Sequence, residues 1–222
     1  MTSSLGSELP ELIPLALVIT LSPLTIIPGI LMLHTPAPRS TSVAFLLGWV
    51  LGIGGLTAGF VLVSNALGGL NKQPTWAPYV RIVIGAALVV FGLYRWFTRK
   101  RSEHTPGWLT KMTTIGPPRA FVTAIVLVVV NPKVLFMCAA AGLAIGSAGL
   151  GTTGAWTADV VFTAVAASSV ALPVLAYLVA GEKLDEPLTK LKDWMEAQHA
   201  TLVAAILFLI GLMVLYKGIH GL

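Results

Sequence analysis

Long uncharged stretches of this chain alternate with short charged ones, and the uncharged stretches predict membrane-spanning helices. Five of them reach the roughly 20 residues that a spanning helix needs, at 12–38, 40–71, 134–158, 160–181 and 197–216. A further span is predicted at about 76–97, where Arg81 and Arg95 lie near the ends and can extend to the headgroups. The pattern predicts an all-α polytopic membrane protein with six transmembrane helices.

Composition and charge distribution support this interpretation. Hydrophobic residues make up 56% of the 222 residues and charged residues only 10%, against roughly 25% charged residues in soluble domains. The net charge of +5 does not indicate nucleic-acid binding, because no basic and aromatic groove pattern accompanies it. Six basic residues instead surround the loop between the third and fourth spans: Arg95, Arg99, Lys100, Arg101, Lys111 and Arg119. The positive-inside rule makes this loop cytoplasmic and both termini extracytoplasmic.

A polar tripeptide interrupts the fourth span. Asn131-Pro132-Lys133 lies inside the hydrophobic run 120–145. Proline in a helix interior removes one hydrogen bond and clashes with the carbonyl four residues earlier, so the helix is expected to open near Val128. Open backbone inside a bilayer is tolerated only where protein or a wet cavity covers it, and an ionisable residue there suggests a functional site.

The two halves of the chain predict an inverted repeat. Ser22-Pro23 breaks the first span as Asn131-Pro132 breaks the fourth, and the third and sixth spans end in the similar sequences 91–95 and 213–217. Each half has three spans, an odd number, so the second half enters the membrane in the opposite direction. We expect one transmembrane domain: repeats at 9–97 and 119–222, a basic cytoplasmic loop at 98–118, and an amphipathic cytoplasmic connector at 182–196 in the second repeat.

The two breaks supply the candidate substrate-binding or gating residues: Ser22, Pro23, Thr25, Pro28, Gly29, Asn131, Pro132 and Lys133. Freed backbone groups, hydroxyls and an amide can hydrogen-bond a polar headgroup, and a lysine can bind a carboxylate, sulfate or phosphate. A second interpretation is that Ser22 and Asn131 satisfy only local backbone groups. The sequence leaves both open.

Four glycines of the second span share one helix face: Gly48, Gly52, Gly55 and Gly59. Such a face lets helices approach closely, so we interpret it as a packing surface against another helix or a second copy in a homodimer.

Asp159 is placed by the sequence at the start of the fifth span, near the external surface. There it is a candidate outer gate or proton site, with an ordinary interfacial carboxylate as the alternative.

The His, Cys and carboxylate residues form no metal-ligand spacing, and no catalytic or nucleotide-binding motif is present. We therefore expect no metal, no cofactor and no enzymatic activity.

The chain resembles the lysine exporter superfamily in four features: six spans, two three-helix halves, the Ser22-Pro23 break and the tripeptide Asn131-Pro132-Lys133. The resemblance is nearest to the GAP branch, the peptidoglycolipid- or sulfolipid-addressing proteins of mycobacteria and related bacteria. One departure is that Leu24-Thr25 follows the first break, with Pro28-Gly29 a turn later, where many superfamily members have a Pro-Gly-rich element directly after the serine.

The resemblance implies export of a cell-envelope glycolipid, or assistance to that export, across the bacterial inner membrane. Together with the two broken helices, it leads us to expect an alternating-access exporter of an amphipathic glycolipid. Membrane lipids and a lipid-synthesis or export protein are the implied partners. Two alternatives stay open: an exporter of an amino acid or another small polar solute, and a membrane scaffold without transport activity that positions a lipid synthase or larger exporter.

Overall fold

A computed structural model describes residues 5–66 and 111–197, together with Ala86, Val90, Leu93, Tyr94, Phe208 and Leu212. The helices in the two continuous ranges are α1 (Leu5–Thr20), α2 (Pro23–Leu31), α3 (Pro38–Ala66), α4 (Pro117–Val130), α5 (Pro132–Ser147), α6 (Gly151–Ala180) and α7 (Asp185–Ala197). Short 3-10 helices occupy Met32–His34, Lys111–Thr114 and Gly181–Leu184. These ranges contain no β-strand.

Two of the described helices are long and apolar enough to cross a membrane by themselves. They are α3, with 29 residues, and α6, with 30 residues, each about 45 Å long. Two bent pairs pass the same test together: Leu12–Thr20 with Thr25–His34, bent by 48°, and Pro117–Val130 with Pro132–Ser147, bent by 73°. The described part is therefore an all-α membrane protein with two spans, or four if each bent pair is one span. The predicted third and sixth spans lie outside the described residues.

The predicted boundary between the fourth and fifth spans was wrong. The uncharged run 134–158 is divided between two helices, because α5 ends at Ser147 and α6 begins at Gly151. Gly149 and Gly151 both have φ of 67°, a conformation that glycine adopts without steric cost. These two glycines form the turn, so α6 begins more than two turns before Asp159.

Residue pairings between neighbouring helices give their directions. Gly142 and Gly146 of α5 meet Thr57 and Ser64 of α3 in that order, so α3 and α5 run the same way. Thr20 hydrogen-bonds to Val165, and the following Gly29 meets Val170, so α1 and α2 run parallel to α6.

The helices that the proposed repeat relates to each other run in opposite directions. Gly54 of α3 meets Thr163, while Asn65, further along α3, shares a cavity with the earlier Trp156. Consequently α3 and α6 are antiparallel, and the α1–α2 pair opposes α5. This arrangement agrees with an inverted repeat, which stays a prediction because the third helix of each half lies outside the described residues.

The helices of the first half pack mainly on those of the second. The main partners of α3 are α4, α5 and α6, whereas α1 packs on α6 and α5. Phe45 and Trp49, both fully buried, stack with ring centroids 6.1 Å apart. Within the described ranges, the core therefore lies between the two halves.

The amphipathic helix α7 follows α6 after the short turn at Gly181. It contacts α2, with Leu188 buried. At this end of the molecule His34 Nε2 lies 3.0 Å from the Thr189 hydroxyl oxygen. Leu191 and Trp194 are exposed, as expected of a helix that lies on a membrane surface.

Candidate functional site

The first helix break lies between Thr20 and Pro23. Ser22 is extended, with φ −82° and ψ 121°, and Pro23 begins α2, where the missing N–H of proline is tolerated. Ser22 and Thr25 are both buried. The Thr25 hydroxyl donates to the carbonyl oxygens of Ile19 at 2.9 Å and Ser22 at 2.6 Å. Both carbonyls also accept backbone N–H groups, from Ser22 and Thr25 respectively. The Thr25 hydroxyl therefore adds a second link between the end of α1 and the start of α2.

This break packs against the middle of α6. The Thr20 hydroxyl donates to the Val165 carbonyl at 2.8 Å, and Val165 lies at the midpoint of Gly151–Ala180. A Cβ on Gly29 would stand 3.2 Å from Val170, and Pro28 beside it is also buried. The predicted break therefore lies at mid-depth along a spanning helix.

The second break is a sharp corner centred on Asn131. This residue ends α4 with φ −76° and ψ 106°, and its side-chain oxygen accepts from the Lys133 backbone N–H at 3.1 Å. Asn131 is thus the N-cap of α5, with Pro132 at the first helical position. Pro132 is exposed, whereas Asn131 and Lys133 are half-buried. The Lys133 ammonium forms no ion pair with any other described residue.

The two breaks lie at corresponding ends of a packed helix pair. The first break follows α1, the second precedes α5, and these antiparallel helices contact each other. No hydrogen bond joins the two breaks within the part of the chain that the structure describes. The structure therefore brings the breaks to the same end of one helix pair without direct contact between their described polar groups.

Asp159 lies deeper than the sequence predicted. Its side chain is only 5% exposed, and the Thr163 hydroxyl donates to Asp159 Oδ1 at 3.5 Å. Asp159 precedes Val165 by six residues, so it lies roughly 9 Å along the axis from the middle of α6. The prediction that it begins the fifth span was therefore wrong, because this span begins at Gly151.

A cavity of about 350 Å³ lies beside Asp159, between the C-terminal ends of α3 and α5 and the N-terminal part of α6. Asn65, Thr152 and Trp156 also line it. The cavity was not predicted because its walls come from three helices. Gly149 and Gly151, which set the start of α6, were the sequence signal that could have located it.

Several buried polar atoms were also missed. Four have no hydrogen-bond partner among the described residues: Thr41 Oγ1, Trp49 Nε1, Thr57 Oγ1 and Ser169 Oγ. Ser169 lies one turn after Val165 and therefore on the face of α6 that meets α1. Its hydroxyl adds a polar group near the first break, and the Ser168-Ser169 pair in an apolar helix was the signal for it.

The four glycines predicted to share one packing face fall into two pairs with different surroundings. Gly48 and Gly52 lie against Phe121 and Val128 of α4. At Gly55 and Gly59 an added Cβ would meet no described atom within 4 Å. Packing at these two glycines, including packing against a second copy, therefore stays a prediction.

The described residues contain no group of three or more His, Cys, Asp or Glu residues that could hold a metal ion.

The family model for Sap, the sulfolipid-1-addressing protein, matches residues 12–220. The chain belongs to this SfLAP family. The match spans both helix breaks and the cavity, and it confirms the resemblance to the sulfolipid-addressing branch. Membership of the SfLAP family in the wider lysine exporter superfamily stays a prediction.

No curated protein and no solved structure shows significant similarity to this SfLAP family member. The functional argument therefore depends on the family match and on the geometry of the two breaks.

Proposed function

We propose that this SfLAP family member is a secondary-type exporter of an amphipathic envelope glycolipid, working by alternating access in the bacterial inner membrane. The observation that carries the proposal is the first break. It puts buried hydroxyls and an interrupted backbone at mid-depth of α6, in a chain whose family is named for sulfolipid addressing. Transporters commonly bind their substrates at such breaks near the bilayer midplane.

The second break supplies positive charge for an acidic headgroup. Lys133 lies in the first turn of α5, where the helix dipole is also positive. Its half-buried ammonium has no carboxylate partner among the described residues, so it can pair with a sulfate or phosphate. Ser22 and the amide N–H groups of Asn131 add hydrogen bonds, while the lipid tails remain in the bilayer.

The orientation follows from the basic loops. Both termini and the Asp159 cavity are extracytoplasmic, and α7 lies on the cytoplasmic surface, where a lipid-synthesis protein can deliver the substrate. Movement of the headgroup from the α7 side of the membrane to the opposite side would then be export.

Replacement of Lys133 tests the proposal. We expect Lys133→Met to insert and accumulate normally but to lower export at least tenfold, because the headgroup loses its counter-charge. Lys133→Arg, which keeps the charge, should retain substantial export. The measurement compares surface-extractable and intracellular glycolipid in cells that lack the native gene and express each variant.

Full export by a well-expressed Lys133→Met protein would contradict the role of this charge. If deletion of the gene leaves every envelope lipid unchanged but causes sensitivity to an amino acid, the small-solute alternative is favoured. A scaffold without transport activity would instead retain a lipid synthase through purification and move no lipid after reconstitution.

A further inference from the structure

The cavity beside Asp159 lies away from both helix breaks and has no role in headgroup binding as proposed above. It is enclosed by Asn65 near the end of α3, Gly146 near the end of α5, and Thr152, Trp156 and Asp159 of α6. Its volume of about 350 Å³ is enough for several water molecules. With the predicted orientation it opens on the extracytoplasmic side.

Among the described residues that line this cavity, Asp159 alone is acidic. Its side chain is almost fully buried, and the hydrogen bond from the Thr163 hydroxyl is long, at 3.5 Å. Carboxylates buried within spanning helices commonly belong to proton relays or ion pathways. Because Asp159 also reaches the cavity, it can exchange a proton with water on one side of the membrane.

The described helices around Asp159 bring no cation close to it. On α3 the nearby polar groups are Thr57, Ser64 and Asn65, which are neutral, and Arg39 lies at the opposite end. On α5 the titratable groups are the buried thiol of Cys138 and the ammonium of Lys133, which is in the first turn, away from the cavity. The helix α1, which also packs on α6, contains Glu8 and Glu11.

Asp159 is also connected to the first break through α6. Thr163, which donates the hydrogen bond to Asp159, precedes Val165 by two residues. The carbonyl oxygen of Val165 accepts a hydrogen bond from the Thr20 hydroxyl beside the break. Thr163 also contacts α3, since a Cβ on Gly54 would stand 3.4 Å from its hydroxyl oxygen. A change in the side chain of Asp159 therefore acts on residues that position both halves.

We propose that Asp159 is the site at which an extracytoplasmic proton binds in exchange for the outgoing lipid headgroup, so that the proton gradient drives export. The inference rests on the proposed export function and identifies its energy source. The proton passes from water in the cavity to an Asp159 carboxylate oxygen. When the transporter faces inward, the proton is released to water on the cytoplasmic side.

Asp159→Asn is the test, because it keeps the shape of the side chain and cannot release a proton. The full chain is reconstituted in liposomes with a short-chain fluorescent sulfated glycolipid, and the dye in each leaflet is measured by quenching. In the absence of a gradient, the variant should exchange lipid between leaflets within about twofold of wild type. An imposed pH gradient should drive accumulation by wild type and none by the variant.

The matched control is Glu186→Gln, another acid-to-amide change, at an exposed residue whose carboxylate pairs with Lys190. It should behave as wild type in both assays. Gradient-driven accumulation by Asp159→Asn equal to that of the control would overturn the inference, while leaving export itself established. Wild-type protein that moves no lipid in either assay would instead refute the proposed function.

Infrared difference spectra of the purified protein at acid and neutral pH give a readout that does not depend on transport. We expect a protonated carboxyl band that disappears in Asp159→Asn and persists in Glu186→Gln. A spectrum unchanged by Asp159→Asn would show that Asp159 does not exchange a proton and would overturn the inference even if no lipid moves.

Discussion

At the scale of single residues, Asn131 shows that a structural role and a ligand-binding role are compatible. Its side-chain oxygen accepts a hydrogen bond from the Lys133 N–H and caps α5. This agrees with the interpretation that Asn131 satisfies local backbone groups. Its two amide N–H bonds are not used in that interaction and remain able to donate to a headgroup. One side chain can therefore hold the corner and contact the lipid.

We expect Asn131→Ala to lower the free energy of unfolding by about 1 kcal/mol, because the N-cap acceptor is lost. Asn131→Ser restores a capping oxygen without the amide and should recover most of this stability. Unfolding in detergent micelles measures the stability, and the export assay measures the function.

The pair of variants separates the two roles of Asn131. If the amide donates to the headgroup, Asn131→Ser will be stable but impaired in export. Equal export by Asn131→Ser and wild type would restrict Asn131 to its capping role.

The sequence predicted the positions of both breaks but not the depth of Asp159. Pro23 and Pro132 disrupt a helix through their own covalent geometry, so their effect is local and can be predicted. The boundary at Asp159 was inferred from charge alone, on the assumption that a carboxylate marks the end of a span. Its burial depends on α3 and α5, whose positions no local pattern specifies.

At the scale of helices, close packing between α3 and α5 depends on glycines of α5 that the sequence analysis did not select. A Cβ on Gly142 would stand 2.5 Å from the Thr57 carbonyl oxygen and 2.6 Å from Phe60 Cβ. A Cβ on Gly146 would stand 2.5 Å from Ser64 Cβ. The glycine spacing on α3 was visible in the sequence, but the choice of partner helix is a property of the assembled bundle.

We therefore expect Gly142→Ala to destabilise the protein by about 1–3 kcal/mol, because an added methyl group would force the two backbones apart. Gly59→Ala is the matched control. It has open space among the described residues and should be neutral, or more stable by roughly 0.5–1 kcal/mol from helix propensity. Thermal unfolding in nanodiscs compares them.

A destabilised Gly59→Ala protein would show that this glycine is covered, either by another part of the chain or by a second copy. Disulfide cross-linking of Gly55→Cys in a Cys138→Ala background would then test for a second copy, which would give a product of twice the mass.

At the scale of the whole molecule, the α3–α6 pair carries a cavity at each end. One is lined by Asn65, Trp156 and Asp159. The other, also about 350 Å³, is lined by Arg39, Ser40, Tyr177 and Gly181. The ends differ in charge, with a carboxylate in one wall and a guanidinium in the other, which agrees with the positive-inside orientation.

Cysteine labelling tests that orientation. Cys138, the single cysteine of the chain, is buried, so Cys138→Ala provides a background. Asn65→Cys should react with a membrane-impermeant maleimide in intact spheroplasts, and Arg39→Cys should react only after permeabilisation, because both side chains are exposed at opposite ends. The reverse labelling pattern would show that the protein is inserted in the opposite orientation and that protons would enter the cavity from the cytoplasmic side.

The packing of α3 has a consequence for how the protein is made. This helix leaves the ribosome and enters the bilayer before α4, α5 and α6, which cover most of its buried face. Until they arrive, Thr57 and Ser64, which α5 covers in the folded protein, face lipid or a chaperone. A chain truncated before residue 111 should therefore be recognised as incomplete and degraded, and the two halves, if expressed as separate polypeptides, should survive only when synthesised together.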